Sequence, residues 1–128
     1  MKILLDTCAL IWATLSPSFL SPEARNVVTD ERNVIVVSAA SAWEIATKVR
    51  IGKLPDAENL ERSFFEVMEI AGYNLLSIDT ADALRAGRLP AAHRDPFDRM
   101  IAAQALSLDI AILSPDTKLD QFGVRRIW

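Results

Sequence analysis

Short apolar runs alternate along this chain with stretches whose apolar residues recur at helical spacing. Ile3-Leu4-Leu5 is the first run and has the character of a strand buried on both faces. Asp6 and Thr7 end it, and Cys8 to Leu15 predicts a short helix that Ser16-Pro17-Ser18 breaks. A second helix is predicted from a Ser21 cap, with Pro22 in the first helical position, to near Asp30. Val34-Ile35-Val36-Val37 is a β-branched strand. Ser38 to Arg50 predicts a helix with Ala42, Ile45, Ala46 and Val49 as its apolar stripe and Gly52 as its cap. Ala57 to Ala71 predicts one further helix, with Leu60, Phe64, Val67 and Met68 on one side and Gly72 as its stop. Asn74 to Ile78 is a third strand, and Asp79 to Gly87 a helix opened by an Asp-x-x-Asp capping pattern. Asp95 and Pro96 start a strong helix to about Leu108, whose expected buried stripe is Phe97, Ile101, Ala105 and Leu108. Ile110 to Leu113 is a fourth strand, Thr117 to Phe122 a short helix ending at Gly123, and Val124 to Ile127 a brief fifth strand.

Strands alternating with helices predict an α/β domain with a mainly parallel sheet. Each crossover helix then begins at the carboxyl edge of the sheet, where such folds place ligands. Asp6 directly follows the first strand, and Asp116 lies three residues past the fourth. Glu44 is in the early turns of the helix after strand two, and Asp98 in the first turn of the helix before strand four. All four acids are therefore expected at one edge. Each alone has a plainer explanation. Asp6 would serve as a turn or cap, and Glu44 as the partner of Lys48 in a helix-surface pair. Asp98 would complement the helix dipole behind an Asp95 cap, and Asp116 would decorate a first turn. The argument rests on their coincidence. Asp79 reads as a helix cap with Asp82, and Asp95 as a support for the site.

Composition narrows the classes. The chain has 128 residues, 51% hydrophobic and 24% charged, so it has enough apolar material for one packed domain, residues 1–128, and disorder is not expected. A net charge of −3 argues against binding nucleic acid by bulk charge, while leaving room for a local basic rim. One cysteine, Cys8, cannot form an internal disulfide, which points to a reducing, cytoplasmic setting. The run from Met1 to Leu5 stops at Asp6, too short for a signal peptide or a membrane span.

Crowded carboxylates repel one another and are tolerated mainly when a divalent cation holds them. Magnesium or manganese on carboxylate oxygens can activate water and neutralise a leaving oxygen, the needs of phosphodiester hydrolysis. Other chemistries lack parts. A hydrolytic triad would need His93, the one histidine, and no Gly-x-Ser-x-Gly elbow is present; His93 reads as a solvated loop residue or a substrate-side contact. Zinc lacks ligands, and no glycine-rich phosphate loop occurs. An aspartyl nucleophile at Asp6 stays open, although Asp6-Thr7-Cys8 lacks the assisting acid two residues on.

Leu4-Leu5-Asp6-Thr7, Ser41-Ala42-Trp43-Glu44-Ile45-Ala46, Asp95-Pro96-Phe97-Asp98-Arg99 and Ser114-Pro115-Asp116 together closely resemble the PIN-domain family, and within it the VapC-like toxins of bacterial type II toxin–antitoxin pairs. The match runs over essentially the whole chain. Phe97-Asp98-Arg99 followed by Ala102-Ala103-Gln104-Ala105 is its most specific piece. The resemblance implies a PIN-like (Rossmann-like) three-layer α/β/α fold with a parallel five-stranded sheet of order 3-2-1-4-5. It also implies a magnesium- or manganese-dependent endoribonuclease acting as the toxin of a VapBC-type pair. Asp6, Glu44 and Asp98 match the family's metal-binding acids and Asp116 its more variable fourth, behind a stiffening Pro115. Thr7 and Ser114 match its small polar positions. The implied partners are an RNA substrate, a VapB-like antitoxin and a second copy of the chain, with no membrane. Lys48, Arg50, Lys53, Arg94 and Arg99 could line a basic rim for RNA phosphates, or be ordinary solvated residues. Trp12, Trp43 and Phe97 could stack on bases, but core packing is the stronger expectation for them. Adjacent Phe64 and Phe65 cannot both face the core of one helix, and so would mark a dimer or antitoxin surface. Two other readings stand beside the toxin: a catalytically silent PIN-like regulatory module, and a nuclease acting on DNA or structured RNA.

Overall fold

A computed structural model describes all residues from Met1 to Trp128. Its first strand, β1 (Lys2–Leu5), runs through the middle of a parallel sheet between β2 (Val34–Ser38) and β4 (Ala111–Leu113). β3 (Asn74–Leu76) forms one edge beside β2, and β5 (Arg126–Ile127) the other beside β4, so the order is 3-2-1-4-5. Apolar runs without polar alternation require cover on both faces, and the residues divide accordingly. Ile3, Leu5, Ile35 and Val37 point into one core, while Leu4, Val36 and Ile112 point into the other.

The first core is closed by α1 (Thr7–Leu15), α2 (Pro22–Thr29), α4 (Glu58–Arg62) and α5 (Phe64–Ala71), together with Ile45 of α3 (Ala39–Arg50). The second is closed by α7 (Pro96–Leu108), with Leu119 and Phe122 from the 3-10 turn at Thr117–Phe122. α6 (Thr80–Arg88) packs on α7 from outside. The result is the expected three-layer α/β/α arrangement. No helix is long and apolar enough to cross a membrane.

Four local expectations are corrected. The stretch from Ala57 to Ala71 is not one helix. A 3-10 turn at Pro55–Ala57 leads into α4, and Ser63 (φ −110°, ψ 29°) separates α4 from α5. Serine is only a middling helix former, and nothing else at Ser63 marks the break. Leu108 is exposed, and the buried set of α7 is the continuous run Ile101–Ala105. That helix is covered on two sides, by the sheet and by α6, so a single stripe underestimates its burial. Ala46, placed in the buried stripe of α3, is also exposed. β3, β4 and β5 are shorter than their apolar runs, and β3 stops at Leu76 because its partner β2 ends opposite it at Ser38. The caps behave as expected. Gly52 follows α3 at φ +79°, a backbone geometry that favours glycine, and Asp79 and Asp82 form a reciprocal capping box.

Candidate active site

Parallel register determines what reaches the carboxyl edge. Leu5 pairs with Val37 on one side and Leu113 on the other, so the next residues, Asp6, Ser38 and Ser114, form a buried polar shelf. The Asp6 amide donates to Leu113 O (3.1 Å), which continues the ladder one residue beyond the strand. Its side chain caps α1 by accepting from the Ala9 amide (2.8 Å), and the Ser114 hydroxyl donates to the other carboxylate oxygen. Ser114 also accepts from the Asp116 amide (3.0 Å), and Asp116 caps the following 3-10 turn through Lys118 (2.9 Å). The Thr7 hydroxyl donates to Ser41 (3.0 Å) and ties α1 to α3.

Glu44 is buried in α3. Lys48 pairs with its Oε2, while Oε1 is buried without any hydrogen-bond partner. Buried carboxylate oxygens are seldom left this way, and each such orphan calls for an unseen ligand or a functional reason. Asp98 sits in the first turn of α7, where Asp95 accepts from the amides of Phe97 (2.9 Å) and Asp98 itself (3.1 Å). The chain neighbours of the two acids, Trp43 and Phe97, meet edge to face at 4.7 Å and clamp α3 to α7.

The titration behaviour reports the crowding. Burial pushes the Asp6 carboxyl up to about 7, with the charges of Asp98 and Glu44 adding to it, against the hydrogen bonds from Ser114 and Ala9. Asp98 is also raised, first by burial and then by Asp95 and Glu44, against the pull of His93. Burial pushes the Cys8 thiol up to about 12, with Asp6, Glu44 and Asp116 contributing. Asp6, Glu44 and Asp98 are therefore mutual electrostatic neighbours, and Asp116 stands at the rim.

No three of the His, Cys, Asp and Glu side chains already stand at ligand spacing around one point. Each inner acid is instead engaged by a protein donor: Asp6 by Ser114, Glu44 by Lys48, Asp98 by His93. The donor set suits a hard divalent cation, which prefers carboxylate oxygens and keeps several waters. Such an ion would relieve both the orphaned Glu44 oxygen and the mutual repulsion.

Among the supporting residues, Ser114 and Lys48 bond the side chains of Asp6 and Glu44, and Asp95 accepts from the Asp98 amide, whereas the Thr7 hydroxyl is spent on Ser41. Arg99 does not face it as a basic rim residue would. Its guanidinium is bound by backbone carbonyls between Ala86 and His93. Arg50, Lys53 and Arg94 are exposed. Trp43, expected in the core, is 58% exposed next to Glu44. His93 is not a solvated loop residue either: its Nε2 lies 2.8 Å from Asp98 Oδ2 with both side chains mostly covered. Its position five residues before Asp98, across a proline, was the only sequence hint. Beside the acids a cavity of about 200 Å³ is lined by Thr7, Cys8, Trp12, Glu44, Lys48 and Leu54, among others.

Comparison with known proteins bears on the family and the fold. A family model described as PIN domain matches residues 3–124. Ribonuclease VapC16 of Mycobacterium tuberculosis is 48% identical over 59 residues, which is 46% of this chain and 42% of that protein. The chain thus matches less than half the length of this curated relative. Among solved structures, a chain of VapBC2 from Rickettsia felis, bound to a promoter DNA fragment, superposes with a TM-score of 0.69 at 13% identity, covering 99% of this chain and 98% of that one. FitAcB from Neisseria gonorrhoeae gives 0.64 at 20% identity, with 98% and 96% covered. VapBC-1 from nontypeable Haemophilus influenzae gives 0.62 at 19% identity, with 99% and 97% covered. At these identities the structures speak to the fold alone.

Proposed function

This chain belongs to the PIN domain family, and from that premise we propose that it is a magnesium- or manganese-dependent endoribonuclease, the toxin of a VapBC-type pair, formed by one PIN domain. The observation that carries the proposal is the convergence of Asp6, Glu44 and Asp98 on one sheet edge, near enough to raise the Asp6 pKa though short of ligand spacing, with Glu44 Oε1 buried and unpartnered. These three would hold the ion, and Asp116 would be a fourth contact from the rim. A bound magnesium or manganese ion supplies Lewis acidity and a water of lowered pKa. The chain's own residues do the positioning. Ser114 and the Ala9 amide fix both oxygens of Asp6, Asp95 sets the first turn that carries Asp98, and Lys48 places a positive charge where a phosphate could meet it. Trp43, exposed beside Glu44, is placed to stack on an RNA base.

The relative named a ribonuclease supports RNA as the substrate, and the VapBC and FitAB complexes among the structural neighbours support an antitoxin partner. The single cysteine, Cys8, suits a reducing, cytoplasmic setting for the pair. The test is cleavage of RNA and DNA substrates with manganese, with and without chelator, by the wild type and Asp98→Asn. Manganese-dependent cleavage of RNA that Asp98→Asn abolishes is expected; full activity in that variant would remove Asp98 from the mechanism. The rival reading, a silent regulatory module, predicts no metal binding at all. It leaves the orphaned Glu44 oxygen without a reason.

A further inference from the structure

The connection from α6 to α7 wraps around a single side chain. Arg99 Nε donates to Ala86 O (3.0 Å), Nη1 to Ala91 O (3.0 Å) and His93 O (2.9 Å), and Nη2 to Gly87 O (3.4 Å) and Leu89 O (2.6 Å). A guanidinium has five N–H donors, so all are used on this backbone and none remains for a phosphate. The loop so gathered ends at His93. Arg99 and His93 both lie against Phe122, the guanidinium 5.8 Å and the imidazole 5.7 Å from its ring centroid. From there His93 Nε2 reaches Asp98 Oδ2 at 2.8 Å. With Asp98 ionised, as a cation ligand must be, its oxygens only accept, and the proton of this contact lies on Nε2.

We propose that Arg99 and His93 form a positioning relay: Arg99 folds residues 86–93 into place, and His93 then fixes the Asp98 carboxylate in the orientation that receives the cation. Neither residue touches the ion or the substrate; both act through Asp98. The inference rests on the metal-dependent reading above and extends it to two residues outside the acid cluster. Outer partners that orient a ligating group typically change metal affinity roughly 10–100-fold when removed. Arginine is required at position 99 for its fork of donors, because the three-donor ammonium of lysine cannot span five carbonyls.

The experiment is manganese titration by calorimetry on the wild type, Asp98→Asn, His93→Ala, His93→Gln and Arg99→Lys, with hydrogen exchange on the last and far-UV circular dichroism on all. His93→Ala is expected to weaken manganese binding by roughly tenfold or more. His93→Gln, whose amide keeps a donor, should recover most of that loss. Arg99→Lys should speed exchange of the amides between Leu89 and Arg94 and weaken manganese to a similar degree. Folded His93→Ala with wild-type affinity would overturn the relay, as would His93→Gln binding no better than His93→Ala. Faster loop exchange in Arg99→Lys without a change in affinity would remove Arg99 from it. Failure of the wild type itself to bind manganese would instead overturn the metal reading, and the relay with it.

Discussion

At the scale of the residue, Asp6 is the most informative side chain. Its folded pKa, about 7, lies above the ordinary value of 3.8, so the folded protein holds a proton that the unfolded chain releases in that interval. Between those values the folded state binds more protons, and metal-free stability must fall as pH rises through this window. Above about 7 the full penalty of a buried, crowded carboxylate is present. Asp6→Asn removes it. In chelator at pH 8 that variant is expected to melt several degrees above the wild type, at about 4 °C per kcal/mol for a domain of this size. At pH 4 the two should differ little. Equal melting at both pH values would mean that Asp6 is not crowded in solution. The same substitution should abolish manganese binding.

At the scale of the element, α7 shows how a cap becomes part of a site. Asp95 accepts from two amides of the first turn, one of them that of Asp98. An N-cap replaced by alanine costs typically ~1 kcal/mol. Asp95→Ala should therefore lower the melting temperature by about 4 °C. A purely structural cap would stop there. Because Asp98 rides on the same turn, weaker manganese binding by calorimetry is expected as well. A lowered melting point with unchanged affinity would assign Asp95 to the helix alone.

At the scale of the whole molecule, metal and fold are linked. Anything that binds only the folded state stabilises it, by about 2.7 kcal/mol at a hundred times the dissociation constant. Saturating manganese should raise the melting temperature by roughly 10 °C, and Glu44→Gln should cancel the rise. The outer surface carries a second prediction. Phe65 is 77% exposed, near Leu75 on the edge strand and the small residues Ala42 and Ala46 of α3, around an apolar hollow of about 370 Å³. Such patches mark association surfaces. We expect a homodimer that Phe65→Asp converts to monomers in sedimentation velocity; a monomeric wild type would refute this.

Much of this was legible in the chain itself. The apolar runs place the strands, a proline and its capping acid place α7, and the motif acids lie just past strands or in the early turns of helices, because these signals are local and follow from side-chain chemistry. Strand order came from the family likeness of the motifs, since apolar runs do not say which strand neighbours which. Only the tertiary structure could decide how Arg99 is used, because its five carbonyl partners lie between Ala86 and His93 and become neighbours only when the loop folds back. The same holds for His93 against Asp98, for the exposure of Trp43 and for the orphaned oxygen of Glu44. Residue type and spacing determine which groups can arrive at an edge. What each one touches there depends on packing between segments far apart in the chain, and periodicity along the sequence does not record it.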